Sequence, residues 1–373
     1  MRGLKVSALL LVLAGGLVVW SGGCGGEHPV EPRLILVEAD PEPVLTVDSP
    51  GAEDVKYGFE GGRVVKVGAT YHLFTSEMAG DPVWVRMRLA HWTSPDGVRW
   101  TRQSTLFESS GNFDGTDPRA AYWSPLPVFD EDAGRWNLFF VAYHSEPNTE
   151  SAFRMNEKGR IIRAISETAG VEGIGGPYAD MGVIMEPGPE SDPWEGLQGV
   201  DSFFPYRAGE RWVALYGSAF SQELPIRYWR VGLASALRLE GPWKRLSDLN
   251  PSPIEEVFIE NPIVELHQRS GMWLCVYDHR EADSIGYSFS RDGLNWAKGR
   301  ALRIQDEGSG WCRDVRTPLG LVAEPETNSY TVFYTGFQDP PDWERIFAGD
   351  FGTACAVGRI RVRLVWERVG EGF

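Results

Sequence analysis

Five times along this chain one local design recurs: a strand opening, a turn, and a second strand that begins on an aromatic residue. The openings are Glu60-Gly-Gly-Arg-Val-Val, Trp123-Ser-Pro-Leu-Pro-Val, Asp201-Ser-Phe-Phe-Pro-Tyr, Glu260-Asn-Pro-Ile-Val-Glu and Arg316-Thr-Pro-Leu-Gly-Leu. Their partners are Tyr71-His-Leu-Phe, Trp136-Asn-Leu-Phe-Phe, Trp212-Val-Ala-Leu-Tyr, Trp273-Leu-Cys-Val-Tyr and Tyr330-Thr-Val-Phe-Tyr. The distance from opening to aromatic is 11 residues in the first and third units, 13 in the second and fourth, and 14 in the fifth. The longer spacings fall where the turn is longer, as in Asp130-Glu-Asp-Ala-Gly. Five hairpins of one design cannot each bury a face alone; they predict radial repetition, an all-β fold in which sheets close into a ring. Openings that converge on one axis bring together three carboxylates, a tryptophan and an arginine.

Composition agrees with that class. The 373 residues are 42% hydrophobic, with 15 Trp, 43 Gly and 25 Pro, which suits a large aromatic core and many turns. No stretch shows sustained helical periodicity. A formal charge of −16 without any Lys/Arg cluster makes nucleic acid and anionic membrane surfaces poor partners.

The N-terminus reads as a targeting segment. Arg2 and Lys5 precede an apolar run from Ser7 to Trp20, and Ser21-Gly-Gly-Cys24 then supplies small residues before a cysteine. This is similar to a bacterial lipoprotein signal, which implies that Cys24 is lipidated and that the protein sits at the cell envelope, facing periplasm or exterior, held to the membrane by that anchor only. The expected organisation is a signal over 1–23, a tether with a first strand over 24–40, and a single propeller over 41–373, as a monomer. Cys275, Cys312 and Cys355 remain, an odd number without metal-type spacing.

Outer hairpins repeat as well. Ser94-Pro-Asp-Gly-Val-Arg-Trp100 and Ser290-Arg-Asp-Gly-Leu-Asn-Trp296 share one design, and Gly175-Gly-Pro-Tyr178 and Glu240-Gly-Pro-Trp243 another. In the first, Gly takes the positive-φ position and the Ser and Asp side chains bond nearby backbone N–H groups, while the Trp packs between sheets. Third strands are legible at Arg86-Met-Arg-Leu-Ala-His-Trp, Arg163-Ala-Ile-Ser, Val231-Gly-Leu-Ala-Ser and Ser284-Ile-Gly-Tyr-Ser. Either the Arg33-Leu-Ile-Leu-Val segment or the strand-rich tail from Cys355 is expected to close the ring. Long loops are expected at 111–121, 148–160, 185–199 and 337–349, where they rim the ligand face.

The order of an acidic residue, Trp-Ser-Pro, Asp and Glu across units one to four resembles the five-bladed β-propeller glycosidases of glycoside hydrolase family 43 and its relatives. The resemblance spans Tyr57 to about Leu364 and rests on Trp123-Ser-Pro-Leu-Pro-Val-Phe-Asp, Val200-Asp-Ser-Phe-Phe-Pro-Tyr, Ile259-Glu-Asn-Pro and the Gly-Pro-Trp hairpin. It implies Glu260 as general acid, Asp201 as the carboxylate that orients and tunes it, and Glu60 as base. Glycoside cleavage needs such a proton donor and an opposed carboxylate, and a carboxylate near Glu260 raises its proton affinity. The chain departs from the family at the base, where Asp commonly followed by Pro is usual and Glu60-Gly-Gly stands here. Asp54, Glu77 or Asp117 are alternatives from nearby loops.

Trp123 is expected on the channel wall as a sugar platform, or between blades as packing. Arg316 is expected to bind a substrate hydroxyl or carboxylate, or to pair with Asp314 and Glu260. His279, at the end of the second strand of unit four, either faces the site or is an ordinary polar strand end. No cofactor or transition-metal site is expected; a calcium ion in the channel, as in some relatives, is left open. The expected partner is an oligo- or polysaccharide. Two other readings remain: a non-catalytic propeller that binds a glycan or protein, and glycoside phosphorolysis using Arg316, Arg313 and His279.

Overall fold

The computed structural model describes residues 30–147, 154–223, 226, 228–305, 310–339, 341–342, 345 and 352–368. The signal segment and Cys24 lie outside them. The chain divides into a large unit, Pro32–Val365, and a small one made of Met1–Glu31 and Trp366–Phe373. Of the small unit only Val30–Glu31 and Trp366–Arg368 are described, and they are extended strand ends.

The large unit is a five-bladed β-propeller of four-stranded sheets. Blade one is β2 (Phe59–Val67), β3 (Thr70–Gly80), β4 (Arg86–Ser94) and β5 (Thr101–Glu108), in that spatial order. Blade two follows as β6 (Ala121–Asp130), β7 (Arg135–Pro147), β8 (Arg154–Ser166) and β9 (Tyr178–Met185). Blade three is β10 (Phe203–Ala208), β11 (Arg211–Ala219), β12 (Trp229–Ala236) and β13 (Lys244–Arg245). Blade four is β14 (Glu260–His267), β15 (Met272–Asp278), β16 (Ser284–Ser290) and β17 (Arg300–Arg303). Blade five runs β18 (Asp314–Glu324), β19 (Ser329–Phe337), β20 (Cys355–Arg368) and then β1 (Val30–Ala39). The tail and the Arg33 segment therefore both build the last blade, and sharing one sheet between the two chain ends closes the ring. The first strands neighbour one another in turn, β2 on β6, β6 on β10, β10 on β14, β14 on β18 and β18 on β2.

Aromatic side chains fill the wedges between blades. Phe107 meets Phe140 at 4.9 Å between blades one and two, Phe139 meets Phe203 at 5.4 Å between two and three, and Tyr206 meets Trp273 at 5.0 Å between three and four. The Ser-x-Asp-Gly hairpins form as their sequence implies. Ser94 Oγ accepts from Gly97 N at 2.8 Å and Asp96 Oδ1 accepts from Val98 N and Arg99 N at 2.9 Å; Ser290 and Asp292 repeat the pattern in blade four. Each turn delivers its tryptophan to a neighbouring blade, Trp100 edge-on to Phe333 at 5.7 Å and Trp296 edge-on to Tyr206 at 6.4 Å.

One expected loop is different. The described part of 148–160 is strand: β8 begins at Arg154 and pairs with the far end of β7, with a register shift between Ala142 and His144. Its polar residues suggest a loop, yet Met155, Glu157 and Gly159 are buried in strand alternation and Asn156 Nδ2 donates to Trp84 O at 3.0 Å.

Four of the five inner strands, all but β10, share a device that periodicity does not reveal. Register shifts fall between Glu60 and Gly62, Trp123 and Leu126, Glu260 and Ile263, and Val315 and Pro318. Gly61, Ser124 and Asn261 sit there at φ of 68°, 53° and 47°. Such a bulge inserts an unpaired residue and re-aims the side chains beside it. It also explains Gly after Glu60: a Cβ at Gly61 would lie 2.6 Å from Ser124 Oγ, and one at Gly62 would lie 2.0 Å from Phe74 O.

Candidate active site

The bulged starts of β2 and β14 bring two of the sequence-selected acids, Glu60 and Glu260, to one guanidinium. Arg316, from β18, places Nη2 3.1 Å from Glu60 Oε1 and 3.9 Å from Glu260 Oε2, and Nη1 3.3 Å from Asp278 Oδ2. Because one nitrogen touches both, the Glu60 and Glu260 oxygens lie no farther apart than the sum of 3.1 and 3.9 Å, 7.0 Å. Glu60 Oε1 also accepts from Thr317 Oγ1 at 3.3 Å. Asp201, two residues before β10, accepts at Oδ1 from the buried hydroxyl of Tyr143 on β7 at 2.6 Å.

Burial sets the protonation of these groups. It pushes Glu260 well above the usual glutamate range, with repulsion from Asp201, Asp278 and Glu60 adding to it and Arg316 opposing it. Burial likewise raises Asp201, against the stabilising hydroxyl of Tyr143, the Ser202 N–H and a hydrogen bond with Glu260. Asp278, 1% exposed, is pushed up to about 7 by burial and by Glu60 and Asp314, with Arg316 opposing. Glu260 and Asp201 thus form a tightly coupled pair in which burial and mutual repulsion favour the protonated form, most strongly at Glu260.

Of the sequence-selected residues, Glu60, Asp201, Glu260 and Arg316 come together. Trp123 is half-buried, packs against the apolar cluster of Met78, Val83, Met87, Phe337 and Cys355, and donates from Nε1 to Trp84 O at 3.2 Å. Its edge is therefore committed to the first blade's loop. His279 turns away from Asp278 along the strand: Nε2 lies 3.8 Å from Glu255 Oε1 and Nδ1 accepts from Glu281 N at 3.2 Å. Among the described residues no hydrogen bond or ion pair joins it to the acids. Arg316 pairs with Glu60 and Asp278 as well as Glu260, and Asp314 contributes only at longer range.

The alternative bases are accounted for elsewhere. Glu77 is fully buried and binds Trp92 Nε1 at 2.9 Å, Arg88 Nε at 3.1 Å and both Nε and Nη2 of Arg102 at 2.9 Å, a structural knot in blade one. The Asp54 carboxylate is 88% exposed, and Asp117 caps its own loop through Arg119 N and Ser110 Oγ. Sequence reasoning missed Tyr143 and Asp278. The signal for Asp278 was its place opposite Glu260 in the β14–β15 hairpin; Tyr143, on another blade from Asp201, left none.

Among the described residues no group of three or more His, Cys, Asp or Glu side chains is arranged to hold a metal ion. The acids that could attract calcium to the channel are threaded by the Arg316 cation, so the donor set does not fit one.

No protein-family model matches the chain, and no curated protein matches it in sequence. Solved structures do share its fold. A family 117 glycoside hydrolase of the marine bacterium Zobellia galactanivorans superposes with a TM-score of 0.58 over 90% of this chain and 91% of that one, at 11% identity. An α-L-arabinofuranosidase of Lactobacillus brevis gives 0.53 over 81% and 91%, at 11% identity. An α-L-arabinofuranosidase of Podospora anserina, in complex with cellotriose, gives 0.52 over 86% and 95%, again at 11% identity. At such identity the likeness establishes the fold: the chain is similar in structure to five-bladed β-propeller glycoside hydrolases.

Proposed function

We propose that this propeller hydrolyses a glycosidic bond in an oligo- or polysaccharide. The observation that carries the reading is the convergence of Glu60, Asp201 and Glu260 near the starts of three inner strands, where burial and the neighbouring carboxylates favour the acid form of Glu260. Glu260 donates its proton to the leaving oxygen. Asp201, steadied by Tyr143, keeps that proton on Glu260. Glu60 serves as the base from the opposite side of the sugar, through Oε2 since Oε1 is taken by Arg316 and Thr317. It takes a proton from a water whose oxygen bonds to the anomeric carbon as the bond to the leaving oxygen breaks. Retaining glycosidases place their carboxyls about 5–5.5 Å apart and inverting ones about 6.5–9.5 Å. The 7.0 Å ceiling between the two oxygens that share Nη2 fits the first range and the short end of the second. The developing positive charge on the sugar ring meets a site rich in carboxylates, an electrostatic match to the transition state.

The same hold of Arg316 and Thr317 on Glu60 favours a second reading, a propeller that binds glycan without cleaving it. Phosphorolysis has less support, because Arg316 is engaged by three carboxylates and Arg313 is exposed. Placement at the cell envelope through lipid on Cys24 belongs to the proposal and rests on the sequence.

The test is Glu260→Gln, assayed on a panel of oligosaccharides and on the corresponding activated aryl glycosides. General acid catalysis contributes roughly 10²–10⁴-fold. The variant is therefore expected to lose that factor on the oligosaccharides and far less on aryl glycosides, whose leaving groups need no proton. Equal loss on both classes removes Glu260 from the acid role. Glycan binding by the parent protein with no turnover selects the binding propeller.

A further inference from the structure

Asp278 is the last residue of β15 and stands directly across from Glu260 in the β14–β15 register. Two acids opposed across an antiparallel pair repel and weaken the sheet, and a strand-end aspartate ordinarily relieves this by turning to water. Asp278 does the reverse. It is 1% exposed, and its buried Oδ2 receives no hydrogen bond among the described residues although Arg316 Nη1 stands 3.3 Å away. Keeping a carboxyl there is costly unless its charge is used.

Its use is visible in the guanidinium. Arg316 touches acids at two nitrogens: Nη2 faces Glu60 and Glu260, and Nη1 faces Asp278. A planar guanidinium held at one nitrogen can swing about that contact, whereas one held at two is fixed in place and in plane. We infer that Asp278 is a positioning residue of this site, holding Arg316 so that Nη2 stands between Glu60 and Glu260. The inference rests on the glycosidase reading for its kinetic consequence alone; the charge arrangement stands without it.

The groups facing these carboxyls come from the inner and second strands of four blades and from the chain just before β10. Glu260 is faced by Asp201 from just before β10, Arg316 from β18, Asp278 from β15 and Glu60 from β2, and Tyr143 on β7 senses its charge. Asp278 is faced by Arg316 and Asp314 from β18 and by Glu60. Cys355, at the start of β20, lies near Glu60, Arg316 and Asp314. Within this set Asp278 repels a charge on Glu260 and neutralises Arg316, which attracts one. Removing its charge therefore lowers the proton affinity of Glu260 by both routes.

The experiment is Asp278→Asn, read in two ways. In the protein without substrate, ¹³C NMR titration of the glutamate carboxyls is expected to show Glu260 releasing its proton at lower pH than in the parent. An unchanged Glu260 titration in the folded variant overturns the inference whether or not the protein has glycosidase activity. In turnover, a misplacement of about 1 Å costs roughly 10²-fold. A fall of that order in kcat is expected, with KM nearly unchanged and the alkaline limb of the pH profile moved to lower pH. Because Asp278 positions the site through Arg316, the loss in kcat is expected to shrink in an Arg316→Gln background, leaving the part that comes from direct repulsion of Glu260, and full additivity of the two substitutions overturns the inference. Should the Asn variant fail to fold, Asp278→Ser, which also removes the charge, is titrated instead; a Glu260 titration identical to the parent's counts against the inference in the same way.

Discussion

Tyr143→Phe removes one oxygen from the interior of blade two and with it the 2.6 Å hydrogen bond donated to Asp201. Both partners are buried, Tyr143 at 3% exposure and Asp201 at 7%, so no water replaces the lost donor without rearrangement. A hydrogen bond to a charged acceptor contributes about 1.5–3 kcal/mol and one to a neutral acceptor about 0.5–1.5 kcal/mol. The cost of the substitution therefore depends on the charge of Asp201. The folded aspartate is raised above 3.8, chiefly by burial. Acidification adds the proton, so the neutral figure applies toward the acid end of the pH range and the charged figure toward the alkaline end. The expected result in urea denaturation is a destabilisation that grows from the acid to the alkaline end of the pH range, by about 1–1.5 kcal/mol once Asp201 has ionised. That difference is worth about one pH unit in the ionisation of Asp201. In turnover the proton of the coupled pair is drawn from Glu260 toward Asp201, lowering kcat on glycosides that need the acid. A cost equal at both ends of that range would show that the hydroxyl fills space without stabilising the carboxylate, and would remove Asp201 as a charged tuner of Glu260.

Two further outcomes are expected. Glu265, near Arg63 across the inner strands, is pushed up to about 7 by burial with Arg63 opposing, so the folded chain keeps a proton that the unfolded chain releases near 4.5. Stability is then present in full below 4.5 and falls as pH rises to about 7. Glu265→Gln is expected to flatten part of this slope, and denaturation midpoints at pH 5 and 7.5 that differ as much as the parent's contradict the assignment. Cys24→Ala is expected to move the protein from the membrane fraction to the soluble fraction of a bacterial host that processes lipoproteins, and identical partitioning of parent and variant contradicts lipidation.

The sequence by itself determined the repeat, and through the repeat the class of fold. Hairpin and turn signals are local: the Asp-Gly turns at 96–97 and 292–293 are stabilised by residues two or three positions away, so they read directly from the chain. The same regularity placed Glu60, Asp201, Glu260 and Arg316 at equivalent strand starts, because a side chain at the start of an inner strand is carried to the axis wherever the blade lies in the sequence.

What only the tertiary structure decided is which atoms meet. The Arg316–Glu60 bond joins residues 256 positions apart, and Tyr143 reaches Asp201 across 58. Such pairs follow from ring closure, which depends on both chain ends sharing blade five. Bulges decided the rest. A single inserted residue reverses the strand alternation on which face assignment depends, and nothing in the spacing of apolar residues marks its position until Gly61, Ser124 and Asn261 are seen at positive φ. Facing is equally a matter of register at the end of β15, where Asp278 enters the acid cluster and His279, one residue later, turns to Glu255. The register of β15 against β14 sets Asp278 opposite Glu260, and β15 ends there, so the ladder that fixes the facing of Asp278 no longer holds His279.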